Sequence, residues 1–211
     1  MPGTRRKFRR EGEAQRQGDL IEAALDLMAE GGPQAATVRA IAERAGVTPG
    51  LIRHYFRTKE DLQAAAYAHF VEVMTANHRA TLDDAPGDPL GRLARFVTGA
   101  LRPPLTDART VGIWAGFLHL VQREPGLKQI HRTGYRTFRG ELESLIADVL
   151  AAAGRPATAA ELEAEATAVN ALIDGLWLEG SVLPEDFSDE TLPRLGLKKT
   201  GALLGVRFDN P

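Results

Sequence analysis

Cysteine is absent from this chain of 211 residues, which excludes a disulfide scaffold, a metal site built on thiolates and a cysteine nucleophile. Long apolar runs are absent too, because none reaches the length of about eighteen residues that a membrane-spanning helix needs. The basic N-terminus is not followed by an apolar stretch of the secretory kind. We therefore expect a cytoplasmic protein that makes no contact with a membrane.

Sustained alternation of apolar and polar residues, the pattern of a half-buried strand, is also missing, so we expect no β-sheet. Apolar residues recur instead at spacings of three and four, and a hydrophobic content of 44% is sufficient for a packed core. The pattern predicts an all-α protein with helices at residues 15–30, 38–44, 48–57, 58–82, 88–101, 106–123, 125–153, 158–182 and 188–204.

Turn and capping residues mark the borders of these helices. Glycine and proline interrupt the chain at residues 31–33 and 84–87. Asp61 and Glu161 each stand three residues after a threonine that precedes a helix, which is the spacing of a capping box. The predicted N-caps are Thr37, Thr48, Thr58, Asp88 and Thr158.

The net charge of -2 conceals an uneven distribution. Residues 1–59 contain eleven basic and seven acidic residues, whereas residues 60–211 contain fifteen basic and twenty-one acidic residues. A basic head on an acidic remainder is typical of nucleic-acid binders, although many enzymes share it. We expect residues 1–13 to be a flexible arm, in which the basic run at residues 5–10 either follows the DNA or stays solvated.

Residues 38–57 have the pattern of a helix-turn-helix, in which two short helices cross nearly at right angles. Ala42 is small where the second helix crosses the first, and Gly46 supplies the positive φ that the turn needs. Apolar residues fall where they lock the two helices together, namely Ile41, Ala45, Val47, Ile52 and Phe56. A generic helical hairpin is the alternative, but the caps and the basic character favour DNA binding.

The second helix of this pair would present its outward residues to a DNA groove. Arg53 is the first choice for direct base readout, because arginine pairs bidentately with guanine, and a phosphate contact is the alternative. Tyr55 and Lys59 lie where a hydroxyl, an ammonium group and a helix N-terminus can meet phosphate. Thr37 and Arg39 open the preceding helix and can do the same, whereas His54 is as well suited to packing as to DNA.

The run Ala36–Thr48, followed by Leu51–Leu62 with its His-Tyr-Phe and Lys-x-x-Leu ending, resembles the DNA-binding domain of the tetracycline-repressor family. The resemblance covers about residues 15–65. It implies an all-helical homodimer of about nine helices, whose first three helices bind double-stranded operator DNA and whose remainder binds a ligand and forms the dimer. The DNA contacts it implies are Thr37, Arg39, Thr48, Gly50, Arg53, Tyr55 and Lys59.

Three further segments, at residues 114–117, 125–135 and 171–178, are similar to the C-terminal domain of the choline-responsive betaine-pathway repressors. This resemblance spans about residues 90–182, and the tail after Pro184 departs from the pattern. The subgroup includes regulators of other ligands, so the effector stays an unknown small molecule. We expect domains at residues 14–62, for DNA binding, and 63–211, for ligand binding and dimerisation.

Aromatic residues and one carboxylate suggest where a ligand would bind. Trp114 with Phe117, and Asp174 with Trp177, each share a helix face, and aromatic walls beside a carboxylate suit a quaternary ammonium group. An ordinary aromatic core is the alternative, with Asp174 facing solvent or a dimer partner. The predicted ligand contacts are Phe70, Met74, Phe96, Trp114, Phe117, Tyr135, Asp174 and Trp177.

Small and large residues alternate at helical spacing along residues 162–180, which suits close packing of helices across a two-fold axis. The stripe consists of Leu162, Ala166, Val169, Ile173, Leu176 and Gly180. An intramolecular core explains it equally well, and the family resemblance favours a homodimer built from the last two long helices.

An enzyme is the main alternative function. The five histidines lack the spacing of metal ligands, and the chain has neither a nucleophile elbow nor a phosphate-binding glycine loop. We therefore expect no catalytic residues, no metal and no cofactor. A protein-interaction adaptor that has lost DNA binding is a third possibility, which the presence of Arg53, Tyr55 and Lys59 disfavours. The function predicted is a transcription regulator, most simply a repressor that binds a palindromic operator and is released by its effector.

Overall fold

The structure, a computed structural model, describes residues 3–83 and 88–208. The side chains of residues 3–11, 77, 78 and 80–83 lie outside this description, as does the predicted break at residues 84–87. The predicted DNA contacts of the basic run at residues 5–10 therefore fall outside the described side chains. No helix in the described part of the chain is long and apolar enough to cross a membrane.

The described residues form nine α-helices and one 3-10 turn and contain no strand, which confirms the all-α prediction. The helices are α1 (Gly3–Ala35), α2 (Val38–Arg44), α3 (Pro49–Tyr55), α4 (Lys59–Asp83), α5 (Pro89–Ala100), α6 (Ala108–Val121), α7 (Pro125–Ala152), α8 (Ala159–Val182) and α9 (Thr191–Leu204). The 3-10 turn, Pro184–Asp186, lies between α8 and α9.

Helix α1 differs from the prediction at both ends. Residues 3–13, expected to be an irregular arm, are helical, because their arginine, lysine and glutamate residues favour helix and no proline interrupts them. The predicted break at residues 31–33 is present as a kink, where Gly32 has φ 65° and ψ -165°, and helical structure resumes before Ala35.

Four of the five predicted N-caps make their side-chain hydrogen bond. Thr37 Oγ1 accepts from Ala40 N at 3.1 Å, and Asp88 Oδ1 accepts from Gly91 N at 2.6 Å. Both predicted capping boxes form, at Thr58 with Asp61 and at Thr158 with Glu161. Thr48 is the exception: its backbone has the extended conformation of an N-cap, but its side chain makes no capping bond.

The chain packs into two compact units, each made of two separate stretches of the sequence. The first unit consists of residues 1–71 and 109–131, and the second unit consists of residues 72–108 and 132–211. Helix α6 therefore lies in the first unit, and the division into domains at residues 14–62 and 63–211 stays a prediction.

The core of the first unit lies between α1, α2, α3 and the start of α4. Leu25, Met28, Ile41 and Ile52 are each at most 2% exposed. Burial of such side chains contributes roughly 1.5–3 kcal/mol each, so this small core is sufficient to fix the two short helices α2 and α3.

Helix α6 joins this unit through a close approach to α1. A Cβ atom added at Gly112 would lie only 2.7 Å from the Ala29 carbonyl oxygen, so the two backbones touch at a glycine. The Arg109 guanidinium reinforces the contact by binding both Glu22 and Asp26 at 2.8 Å. These contacts explain why residues 109–131 separate from the rest of the C-terminal half.

The core of the second unit is formed by α5, α7, α8 and α9. Phe96, Leu142, Ile146 and Val169 are fully buried there. The α8 stripe lies in this core: Ala166, Val169 and Ile173 are at most 4% exposed, and Leu162 and Leu176 pack against them. The intramolecular explanation therefore accounts for Ala166, Val169 and Ile173, and a homodimer built from the last two long helices stays a prediction.

Candidate functional site

The turn between α2 and α3 has the geometry of a helix-turn-helix. Gly46 has φ 66°, and Val47 N donates to the Ala42 carbonyl oxygen at 2.9 Å, so the chain reverses directly after α2. Ala42 is 1% exposed and Phe56 is 5% exposed, as the crossing of the two helices requires. Ala42, Gly46 and three residues of the apolar lock are placed as the sequence predicted, whereas Ala45 and Val47 of the lock are only half-buried.

The outer surface of this pair holds the predicted DNA contacts. Thr37, Arg39, Thr48, Gly50 and Arg53 are exposed, and Tyr55 and Lys59 are half-buried. Gly50 and Arg53 are three residues apart on α3, so they share the face opposite the buried Ile52. His54, left open between packing and DNA contact, is exposed and lies edge-on to the Tyr55 ring with a centroid distance of 5.2 Å.

The arginines on this surface differ in whether an acidic residue pairs with them. Arg44, at the end of α2, binds Glu30 of α1 through two hydrogen bonds of 2.9 and 2.6 Å, and this bond holds the pKa of Glu30 below its ordinary value. Among the described residues, neither Arg39 nor Arg53 has an acidic partner within ion-pair distance. Arg44 therefore fixes the helices, while Arg39 and Arg53 keep their charge available to a phosphate or a base edge.

The predicted ligand contacts divide between the two units. Phe70, Trp114 and Phe117 belong to the first unit; Met74, Phe96, Tyr135, Asp174 and Trp177 belong to the second. Phe117 is 1% exposed, and Phe96 is completely buried against Phe138, with ring centroids 4.8 Å apart. Core packing thus accounts for these two phenylalanines, and their part in a ligand site stays a prediction.

An aromatic cluster in the first unit brings Phe70 and Phe117 together through Tyr67, a residue that the sequence analysis missed. The Tyr67 ring stacks on Phe117 with a centroid distance of 4.5 Å and lies 6.4 Å from Phe70. Its hydroxyl hydrogen-bonds to His131 Nδ1 at 2.6 Å. Burial raises the pKa of Tyr67 to about 12. The spacing of Tyr67 and Phe70 on one helix was the available signal, whereas nothing in the sequence links either residue to His131.

A polar cluster in the second unit contains Tyr135, Asn170 and Asp174. The Tyr135 hydroxyl donates to Asp174, and Asn170 Nδ2 donates to the Tyr135 hydroxyl oxygen at 2.8 Å and to Asp174 Oδ2 at 2.9 Å. Burial, followed by the bond to Asp174, raises the pKa of Tyr135 to about 12. The structure therefore brings Tyr135 and Asp174 together, and the carboxylate predicted to attract a cation accepts hydrogen bonds from both neighbours.

Trp177 has a contact that the sequence did not predict, and Asn170 was not singled out by the sequence at all. The indole nitrogen of Trp177 donates to the Leu105 carbonyl oxygen at 2.8 Å, so its polar edge serves a backbone hydrogen bond. Asn170 was missed, although a buried amide on α8, four residues before the exposed Asp174, signals that a hydrogen-bond partner must lie nearby.

An open apolar groove runs between α8 and α9 within the second unit. Its walls are Leu172, Leu176, Leu195, Lys199, Ala202 and Leu203. Leu203 is 46% exposed, and on α8 Leu178 and Val182 are 51% and 65% exposed. This apolar surface includes Leu176 at the edge of the α8 stripe, and it stays open to solvent in a single chain.

The family models match both parts of the chain. Residues 20–66 match the model described as bacterial regulatory proteins of the tetR family, and residues 89–205 match the model of the BetI-type transcriptional repressor C-terminal domain. The second match extends through α9, so the tail after Pro184, which the sequence analysis set apart, belongs to the BetI-type pattern.

Curated relatives of the chain are named BetI, like the family model of its C-terminal part. The chain is 31% identical over 195 residues to the HTH-type transcriptional regulator BetI of Burkholderia thailandensis, covering 91% of this chain and 95% of that protein. It is 31% identical over 176 residues to BetI of Proteus mirabilis, covering 82% of this chain and 84% of that protein.

Solved structures share the fold. A putative transcriptional regulator from Pseudomonas aeruginosa PAO1 is 30% identical and superposes with a TM-score of 0.80, covering 92% of this chain and 90% of that one. A putative transcriptional regulator from Saccharomonospora viridis, solved in complex with choline, is 20% identical with a TM-score of 0.74, covering 87% and 94%. At that identity the second likeness supports the fold alone.

Proposed function

The chain belongs to the tetracycline-repressor family of bacterial transcription regulators and has a BetI-type C-terminal part, and on that premise we propose that it is a homodimeric repressor that a small-molecule effector releases from its operator. Like its relatives, it is a DNA-binding regulator and not an enzyme. Because it acts on chromosomal DNA, we place it in the cytoplasm.

The observation that carries the proposal is the surface of α2 and α3. Three apolar residues, Ile41, Ala42 and Ile52, are buried to lock the pair, while Arg39 and Arg53 stand exposed without acidic partners among the described residues. A rigid helix that presents an unpaired arginine is suited to the major groove, where arginine reads guanine O6 and N7. Thr37, Thr48, Gly50, Tyr55 and Lys59 are proposed to contact the backbone around it.

A second copy of the chain is the proposed occupant of the groove between α8 and α9. The groove is lined almost wholly by apolar side chains, and the corresponding surface of a second copy would cover them. A two-fold dimer would present its two α3 helices to successive major grooves, about 34–36 Å apart or a multiple of that distance, which requires a palindromic operator.

Release by an effector requires only a difference in affinity between two states of the dimer. A ligand that favours the non-binding arrangement by a few kcal/mol is sufficient to shift the population. We propose that the aromatic cluster around Tyr67 and the polar cluster around Asp174 contribute to the response, together with Met74, Trp114 and Trp177 from the predicted set.

Selection of fragmented genomic DNA by the purified chain, followed by sequencing of the bound fragments, tests the proposal. We expect an enriched inverted repeat whose affinity falls steeply with salt, because lysine and arginine contacts to phosphate release counterions. Arg53→Ala should weaken binding to that repeat by roughly 10- to 100-fold and relax the base preference at one position in each half-site.

Arg136→Ala is the matched control, since it removes an exposed arginine from α7 and should leave operator affinity unchanged. If an intact dimer enriches no sequence at low salt, the DNA-binding proposal is wrong and a protein-interaction role replaces it. If Arg53→Ala weakens binding equally at all sequences, Arg53 contacts phosphate and not a base.

A further inference from the structure

A cavity of about 370 Å³ lies in the second unit, between α9 and the tail at residues 206–208. It is partly open to solvent, and its volume is sufficient for a small organic molecule. None of the predicted ligand contacts lines it, and the groove between α8 and α9 has other residues of α9 as its wall. The proposed repressor mechanism therefore leaves this cavity without a role.

The tail that closes the cavity is held on α9 by its backbone. Gly205 ends α9 with φ 64°, and Val206 N donates to the Gly201 carbonyl oxygen at 2.9 Å. A Cβ atom added at Gly201 would lie 2.8 Å from the Val206 carbonyl oxygen and 3.3 Å from the Phe208 ring. Val206 and Phe208 also pack against the core of the second unit, so this wall of the cavity is fixed by hydrogen bonding and packing.

Three cationic side chains line the cavity: Arg194 and Lys198, one turn apart on α9, and Arg207 on the tail. All three are exposed, and no acidic residue in the described part of the chain lies within ion-pair distance of them. Glu190, one turn before Arg194, is bound by Arg102 at 2.5 Å. Like charges one turn apart on a helix repel each other, so this arrangement does not stabilise the chain by itself.

The cations are concentrated in a half of the chain that is otherwise acidic. Residues 191–208 contain four basic residues and no acidic residue, whereas residues 60–190 contain eleven basic and twenty acidic residues. The helix dipole does not explain them, because the last turn of α9, where a cation would be favoured, contains no basic residue. A local excess of positive charge beside a cavity attracts an anion.

The remaining walls show what else the anion carries. Leu197, Val206 and Phe208 give the cavity an apolar surface with an aromatic ring next to the cations. A ligand that uses both surfaces has an anionic group joined to an apolar or aromatic group. Three cations around one anionic group suit a phosphate monoester, which has a charge near -2 at neutral pH and three oxygens that accept charge-assisted hydrogen bonds.

We propose that this cavity is a second ligand site and that it binds a phosphate monoester of an aromatic or apolar group. Arg194, Lys198 and Arg207 bind the phosphate oxygens, and Phe208 packs against the rest of the ligand. The inference does not rest on the proposed function, because binding at this cavity requires neither the operator nor the effector.

Isothermal titration calorimetry of the full chain at pH 7.5 and constant ionic strength tests the proposal. The probes are 1-naphthyl phosphate, 1-naphthol and inorganic phosphate, which separate the contributions of the charge and of the aromatic group. We expect one molecule of 1-naphthyl phosphate to bind to each chain, at least about 10-fold more tightly than either of the other two probes.

Lys198→Gln removes one of the three charges from an exposed position, and glutamine has nearly the helix propensity of lysine. The dissociation constant of 1-naphthyl phosphate should rise roughly 10-fold, and the double variant Arg194→Gln with Lys198→Gln should show no measurable binding. Without ligand the urea midpoint should stay the same or rise slightly, because repulsion between like charges is reduced. Lys128→Gln is the matched control: it removes an exposed lysine from α7 in the first unit and should leave binding unchanged.

Four results would overturn the inference. Unchanged affinity in the double variant would place the phosphate elsewhere, and equally tight binding of inorganic phosphate would mean that the apolar wall takes no part. Binding by Asp209→Asn but not by the natural sequence would mean that the carboxylate following Phe208 in the sequence is the partner of these cations. Weaker operator binding by the double variant, with its affinity for 1-naphthyl phosphate unchanged, would mean that the basic residues contact DNA.

Discussion

Two tyrosines with hydrogen-bonded hydroxyl groups make the titration of the folded protein differ from that of the unfolded chain. Tyr67 and Tyr135 are two of its three tyrosines, and the pKa of each is raised to about 12 from an ordinary value of 10.0. Burial is the first cause for both, and Tyr135 also donates to the Asp174 carboxylate. The fold therefore favours the neutral phenol at both positions.

The sign of the pH dependence follows from this preference. A group whose pKa is higher in the folded than in the unfolded state contributes stability below its unfolded pKa, here about 10, and loses it as the pH rises towards 12. The urea midpoint of the natural sequence should therefore fall between pH 10 and pH 11.5. Tyr67→Phe should show a shallower fall, because one of the two groups is absent.

Absorbance of tyrosinate near 295 nm checks the same assignment directly. Two tyrosines of the natural sequence should ionise at about pH 12, and Tyr67→Phe should lose one of them. Tyr135→Phe is the matched variant, since it removes the other. Ionisation of Tyr67 near pH 10 in the folded protein would contradict its burial.

The contacts of the two proposed sites differ in whether they could be predicted from the sequence. The DNA contacts could be predicted because Thr37 to Lys59 are close in sequence, and local helix geometry determines which side chains point outward. The polar cluster could not, since Asn170 is 35 residues from Tyr135, and only the packing of α7 on α8 joins them. The same holds for Tyr67 and His131, which are 64 residues apart.

At the scale of helices, the elements with explicit stop and start signals were predicted best. Helix α2 has the predicted limits because Thr37 caps it and Gly46 ends the turn after it. The first residues of α1 were mispredicted because they lack apolar periodicity, whereas helix propensity alone continues the helix. The α8 stripe shows what periodicity cannot predict. It identifies the face of a helix that is buried, but not the partner that buries it.

The contact between α1 and α6 yields a prediction at this scale. A Cβ atom at Gly112 would lie 2.7 Å from the Ala29 carbonyl oxygen and 3.1 Å from its Cα, and neither backbone atom can move without shifting α1. Gly112→Ala should therefore lower the free energy of unfolding by about 1–3 kcal/mol, the usual range for overpacking. Urea denaturation followed by circular dichroism measures the loss.

Gly140→Ala is the control for helix propensity. Gly140 lies in α7 with nothing within 4 Å of an added Cβ atom, so alanine should raise stability there by roughly 0.5–1 kcal/mol. Gly116→Ala should fall between the two, because its nearest neighbour is the flexible Met28 side chain at 2.7 Å. Equal effects at Gly112 and Gly140 would show that the two helices do not approach as described.

At the scale of the whole molecule, three parts of the chain differ in their chemistry. Residues 1–59 have an excess of basic residues, residues 60–211 have an excess of acidic residues, and the groove between α8 and α9 is apolar. An excess of positive charge confined to the DNA-binding part attracts the operator, while the acidic remainder limits contact of the rest of the chain with DNA. The apolar groove then determines which copies of the chain associate.

The dimer proposal can be tested by placing a charge on this groove. Leu203, 46% exposed in the single chain, would be buried in a dimer, where the carboxylate of Leu203→Asp would have no compensating partner. We expect the dissociation constant of the dimer to rise by at least about 100-fold and operator affinity to fall with it, since a monomer engages only one half-site. Val73→Asp places the same charge on an exposed apolar position of α4 and should leave the dimer intact. Sedimentation velocity of both variants over a range of concentrations distinguishes the cases, and a stable Leu203→Asp dimer would mean that another surface joins the two chains.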